Sequence, residues 1–370
     1  MSDPGARLPT VMIDSLDVSY GDLWGSHEGP DHPDPIPSAL AARRHAAGMP
    51  YAVLLSSRER PLAMAERWPR GMWRVYLFDD AARRTRMIDF KPIGTGMLLA
   101  HRNTRLTEGD AEPTAVEKIS CPAPEFGDWQ VFAPFLAQQG HEPATTVVLN
   151  DVSVDEGAGP LRATDIEHLF RPGARDTPDG PAVLELGDAG LLRITSGRLA
   201  VSDPGWVSDP RTVAVPPGEY PVTLSLLRRT PWLTVAAAKV TLLDTPPHAW
   251  EMALRPDEDP ELLGEGQFYG VGVDTGTVAF MDATRTVDEE GLDEEVFLPL
   301  SLAGRPSVEL PGTQTGPNLI AFSAGWGDGS YPVWIGRTED GQAGCVVVDF
   351  RLFPSDEEKH LPGGTGPAPA

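Results

Sequence analysis

Short apolar runs bounded by glycine and proline dominate the chain, and few stretches keep a helical period for long. In the first half the runs fall at Tyr51 to Leu55, Trp73 to Phe78, Arg86 to Phe90, Gly96 to His101 and Thr145 to Leu149, all of strand length. Two segments break this pattern. Residues 38 to 47 carry strong helix formers behind Ser38 as N-cap, with Gly48 as the stop, and predict a short helix. Between Asp128 and Gln139, the residues Trp129, Phe132, Phe135 and Leu136 fall at helical spacing and predict a second helix, which Pro134 weakens.

Strand signals become denser in the second half: Ala182 to Leu186, Leu191 to Thr195, Arg198 to Ser202, Tyr220 to Leu227, Leu233 to Leu243, Trp250 to Leu254, Phe268 to Val273, Thr277 to Met281, Leu319 to Phe322, Pro332 to Ile335 and Cys345 to Phe353. Many short strands between Gly and Pro turns predict an antiparallel sandwich or open barrel. The expected fold is therefore mainly β, with a C-terminal sandwich or barrel preceded by a smaller α+β domain. Residues 171 to 181, Arg-Pro-Gly-Ala-Arg-Asp-Thr-Pro-Asp-Gly-Pro, are the clearest break and set the expected domains at 1–175 and 181–353. The first ~35 residues read as an irregular arm, and 354–370 as a disordered tail. A faint echo links Trp73 to Phe90 with residues 332 to 351: both read strand, charged turn, strand, ending Asp89-Phe90-Lys91 and Asp349-Phe350-Arg351.

Composition narrows the class. With 41% hydrophobic and 23% charged residues, 370 residues can bury a sizeable core. Lys plus Arg number 30 against 54 Asp plus Glu, a formal net charge of −24. Such a field repels phosphate backbones and anionic lipid, which argues against nucleic acid and membrane partners; an acidic surface can complement a basic protein partner or mimic a polyanion, and surplus carboxylates also serve solubility alone. Only two cysteines occur, Cys121 and Cys345, with no Cys-x-x-Cys spacing, so neither a disulfide framework nor a zinc site follows. No stretch approaches the ~18 apolar residues of a membrane helix and no signal-like h-region opens the chain, which reads as soluble and cytoplasmic.

A series of elements in the second half then comes in a specific order. These are Gly197-Arg-Leu-Ala-Val-Ser-Asp203-Pro, Val215-Pro-Pro-Gly218-Glu-Tyr220, Val235-Ala-Ala-Ala238, Ala249-Trp250-Glu-Met, Gly270-Val-Gly-Val-Asp274-Thr-Gly276, Phe280-Met-Asp282, Asn318, Gly325-Trp326-Gly327-Asp328-Gly329-Ser-Tyr331 and Asp349-Phe350. Over roughly residues 190 to 353 this order resembles the bacterial domain-of-unknown-function 4241 family. The resemblance implies a shared fold and a set of positions, and no activity.

Candidate chemistry is acidic. Asp203, Asp274, Asp282, Asp328 and Asp349 all stand at predicted strand ends or Gly turns. If they converge, Ca²⁺ or Mg²⁺ would suit their oxygens, and a bound metal could activate water. Asp beside Gly or Pro is equally a common turn residue that bonds neighbouring N–H groups. Gly325, Gly327 and Gly329 predict positive φ values or a close approach. Between them Trp326 either stacks on a sugar or fills the core, and Tyr331 and His248 complete a candidate pocket. His27 and His32, with Glu28, Asp31 and Asp34, form a metal-like set inside a Pro-rich polar loop.

Several motifs are absent: no Gly-x-Ser-x-Gly elbow, His-Glu-x-x-His, Walker loop or EF-hand loop occurs. The third glycine of Gly270-Val-Gly-Val-Asp-Thr-Gly276 comes one position late for a dinucleotide loop. Two readings remain. One is a non-enzymatic interaction protein, immunity-like or regulatory, with a basic partner; the other is a metal-assisted hydrolase or small-ligand binder built on the aspartates.

Overall fold

The computed structural model describes residues 11–12, 16–24, 33–94, 96–107, 110–114, 119–137, 141–142, 147–152, 159–164, 166–177, 180–208, 210–285, 287, 289–302, 304–312 and 316–353. It is mainly β, and the chain forms two compact units. Unit 1 comprises Met1–Pro160 together with Glu261–Glu265, and unit 2 comprises Leu161–Pro260 with Gly266–Ala370. The units meet in sequence at Pro160/Leu161. Residues 171 to 181, expected to mark the domain boundary, contain the strand Gly173–Thr177, which pairs antiparallel with Gly180–Ile194 inside unit 2.

Unit 1 is a ten-stranded, mostly antiparallel sheet. The expected helix forms at Ser38–Ala47 and stops at Gly48, whose φ of 78° is left-handed as a C-cap requires. Ser38 does not cap it. Its N–H and hydroxyl donate to the Asp151 carboxylate at 2.7 and 2.5 Å, so the helix start is held by an acid 113 residues away. The second expected helix is broken into a 3₁₀ turn, Trp129–Phe132, and a short α-helix, Ala133–Ala137, with Pro134 at the junction. Both pieces press Trp129, Phe132, Phe135 and Leu136 onto one face of the sheet, against Val18, Tyr51, Val53 and Val75. The buried indole N–H of Trp129 donates to the Tyr20 hydroxyl at 3.1 Å.

The expected N-terminal arm is a correction, because Leu16–Gly21 is a sheet strand paired with Tyr51–Ser57. His27, Glu28, Asp31 and His32 of the metal-like set, and the expected tail at 354–370, lie outside the described residues. The Glu261–Glu265 segment is seated by Arg43 and by Arg44. The Arg44 guanidinium, fully buried, donates to the Leu262 carbonyl at 3.0 Å and to Asp22 at 2.8 Å.

Unit 2 is a two-sheet antiparallel sandwich. The larger sheet runs Gly173–Thr177, Gly180–Ile194, Gly218–Arg229, Trp232–Thr241, Ala343–Asp349, Gly329–Arg337 and Ala249–Met252, with Gly270–Val273 also paired to Gly329–Arg337. The smaller runs Arg211–Ala214, Arg198–Ser202, Thr277–Asp282, Leu319–Ser323 and Ser307–Leu310. Alternate residues point inward as a pleated strand dictates. Val222, Leu224, Val240, Val346 and Val348 thus meet Leu199, Val201, Val278, Phe280 and Phe322 across one core. The Gly270–Val273 and Thr277–Asp282 strands lie in different sheets, so the Asp274–Gly276 turn bridges the sandwich at one end. The turn between Leu319–Ser323 and Gly329–Arg337 bridges the same end.

Candidate functional site

Four of the five candidate aspartates stand at that end of the sandwich: Asp203, Asp274 and Asp328 around the bridging turns, and Asp349 at the close of the neighbouring Ala343–Asp349 strand. Asp203 follows the Arg198–Ser202 strand and is almost completely buried. One of its oxygens accepts the Asp274 and Thr275 N–H groups, both at 2.8 Å; the other accepts the Gly205 N–H and the Thr275 hydroxyl, also at 2.8 Å. Asp328 reaches the same turn and accepts the Gly276 N–H at 2.9 Å. Asp203 is thereby committed to holding two loops together. Asp274 and Asp328 keep their side chains exposed at the rim.

Asp282 stands at the far end of the Thr277–Asp282 strand, roughly 17 Å from the turn at ~3.3 Å per residue. Burial raises its carboxyl, but hydrogen bonds from the Thr284 hydroxyl and from the Ser196, Thr284 and Thr195 N–H groups outweigh it and hold the group well below the usual carboxylate range. Asp349, at the end of its strand, accepts the Arg351 N–H at 2.8 Å; burial pushes its carboxyl up to about 6 against that bond and the Arg351 charge. The five aspartates therefore do not share one point. Among the described residues, no group of three or more His, Cys, Asp or Glu is placed to hold a metal ion. The Ca²⁺ or Mg²⁺ reading finds no donor set there.

The glycine-rich turn has a geometric cause. A Cβ on Gly325 would lie 2.7 Å from the Val235 carbonyl oxygen and 3.0 Å from the Phe350 Cβ, so the turn packs directly on the larger sheet. Gly327, at φ 92°, closes it. Its carbonyl accepts the Tyr331 hydroxyl at 2.9 Å, and the Tyr331 ring sits edge-on to Phe350 at 4.9 Å. Burial pushes the Tyr331 phenol up to about 12. Tyr331 is a brace under the turn. His248 is exposed at the opposite end of the Gly329–Arg337 strand, where its N–H donates to the Arg337 carbonyl at 2.7 Å.

Trp326 does not fill the core: it is 63% exposed. With Trp232, 68% exposed at the tip of the Gly218–Arg229/Trp232–Thr241 hairpin, it flanks a groove of about 270 Å³ floored by Leu227 and Leu352 and edged by Leu233 and Arg229. Trp206, 65% exposed, follows Asp203 on the same end, its N–H donating to the Asp203 carbonyl at 3.0 Å. Sequence reasoning passed over Trp206 and Trp232. The signal was a large aromatic beside turn residues, at Gly205-Trp206 and Thr230-Pro231-Trp232, where burial has little to offer it.

The fold and this end together define a two-sheet β-sandwich whose loops are tied by a buried aspartate and carry exposed tryptophans. Residues 192–348, most of that sandwich, match the family described as protein of unknown function, DUF4241. No curated protein and no solved structure matches the chain. Among the described residues, no helix is long and apolar enough to cross a membrane.

Proposed function

We propose that the protein is a non-enzymatic interaction factor, immunity-like or regulatory, which holds a basic protein partner at the tryptophan-bearing end of unit 2. One observation carries this reading: Trp232 and Trp326, 68% and 63% exposed, face one groove of mixed lining, in which Leu227 and Leu352 lie beside Arg229 and Thr234. Clustered exposed aromatics are costly in water and are the residues that dominate protein interfaces. Exposed Asp328 stands two residues from Trp326 and holds the turn that carries exposed Asp274, in a chain of net charge −24. A partner lysine or arginine can lie on an indole face while pairing with those acids.

The test compares retention of lysate proteins by the wild-type chain and by a Trp232→Ala/Trp326→Ala double variant, at low and high salt. Both side chains point to solvent, so the double variant should melt within a few degrees of wild type. The expected result is a basic protein retained by wild type, lost by the double variant and weakened by salt. Equal retention by both chains would defeat the reading.

A further inference from the structure

A second concave site lies on the outer face of the larger sheet of unit 2, away from the tryptophan groove. Lys239 and Thr241 on one strand and Cys345 on its neighbour form its floor. The 3₁₀ turn Ile166–Phe170 forms one wall, and the loop through Leu243 and Pro247 to Trp250 the other. The cleft holds about 240 Å³. Its floor is fixed by close packing: a Cβ on Gly336 would lie 2.7 Å from the Cys345 Sγ and 2.8 Å from Pro247.

The charges are unusual for this chain. Lys239 is half-buried, yet among the described residues none of the ion pairs includes it. Its Nζ lies 4.5 Å from the Phe170 ring centroid, which engages the cation through its face and leaves N–H donors without an anion. In a protein with 54 acidic and 30 basic residues, a half-buried ammonium outside every ion pair of the described residues stands out. Glu167 and Asp244 are exposed and also line the cleft; Glu167 makes only a loose 3.6 Å contact with exposed Arg171. Both Lys239 and Glu167 act on the Cys345 thiol, which burial pushes up to about 11, so positive and negative groups flank the same floor residue.

From this arrangement we infer that the cleft binds a small zwitterion with an aromatic body, of the class of aromatic α-amino acids: carboxylate on Lys239, ammonium toward Glu167 and Asp244, ring between Phe170 and Trp250. Apolar walls with a few polar groups that fix orientation are the general composition of small-ligand sites. The volume, just under the ~300 Å³ at which drug-sized sites begin, suits a single ring with a short polar head.

Calorimetry on the full chain tests this with L-phenylalanine, 3-phenylpropionate, which lacks the amine, and phenethylamine, which lacks the carboxylate. L-Phenylalanine should bind at least ~tenfold more tightly than either analogue. Lys239→Met should weaken it ~10- to 100-fold, the range of a hydrogen bond to a charged group. The same variant should leave phenethylamine unchanged. No binding of L-phenylalanine, equal binding of either analogue, or an unaffected Lys239→Met variant overturns the inference. Should Lys239→Met fail to fold, thiol labelling of the wild-type chain serves instead: L-phenylalanine should slow modification of Cys345 relative to Cys121, and equal rates overturn it. The Trp232→Ala/Trp326→Ala chain should bind L-phenylalanine as wild type does, which keeps this test separate from that of the groove.

Discussion

At the scale of single residues, the aspartates divide by what surrounds their oxygens. Asp203 and Asp282 are saturated with donors, and each ties separate loops together. Asp349 has the opposite balance, with enclosure and little compensation. Its folded value of about 6 stands above the ~3.9 of an unfolded chain. Below pH ~4 both states are protonated and the group is neutral to stability. Between those values the folded state keeps a proton that the unfolded state releases, so stability falls as pH rises; above ~6 the full cost is present, up to about 3 kcal/mol. Asp349→Asn, which can still accept the Arg351 N–H, is therefore expected to stabilise unit 2 at pH 7 and to have little effect at pH 4. Urea melts at the two pH values check this, and an equal effect at both would contradict it.

At the scale of elements, the turn at Gly325 is a tight junction on the tryptophan end. Gly325→Ala should cost ~1 to 3 kcal/mol, because the methyl group must displace the Val235 carbonyl or the Phe350 side chain. A denaturant midpoint unchanged from wild type would show that the turn yields freely. Strands such as Tyr51–Ser57 and Thr277–Asp282 were legible from β-branched and aromatic runs. Arg60–Trp68 was not: Leu, Ala, Met, Ala, Glu and Arg are helix formers, and only pairing with Tyr51–Ser57 and Met72–Phe78 makes them a strand. Short edge strands such as Arg211–Ala214 carry too few residues for a period to show. The same limit applies to the site. Aspartates as turn residues can be read locally, but Asp203 meets Thr275 across 72 positions, a contact no local pattern encodes.

At the scale of the whole molecule, chain order and spatial order part at Glu261–Glu265, which belongs to unit 1 although unit 2 surrounds it in sequence. A fragment ending at Pro160 would leave the buried Arg44 guanidinium without the Leu262 carbonyl. Losing a buried hydrogen-bond partner of a charged group costs ~1 to 3 kcal/mol or more. The fragment 1–160 should therefore melt several degrees below the same unit in the full chain; equal melting of the two would mean that the segment is a passenger. The seat of Arg44 also sets a clock for biosynthesis. A ribosome that has finished residue 160 must add another hundred or so before Leu262 exists, on the order of 5 to 20 s at ordinary rates of synthesis. For that interval the Arg44 guanidinium of the nascent first unit keeps Asp22 but lacks the Leu262 carbonyl, and the emerging sandwich must thread five residues back to supply it.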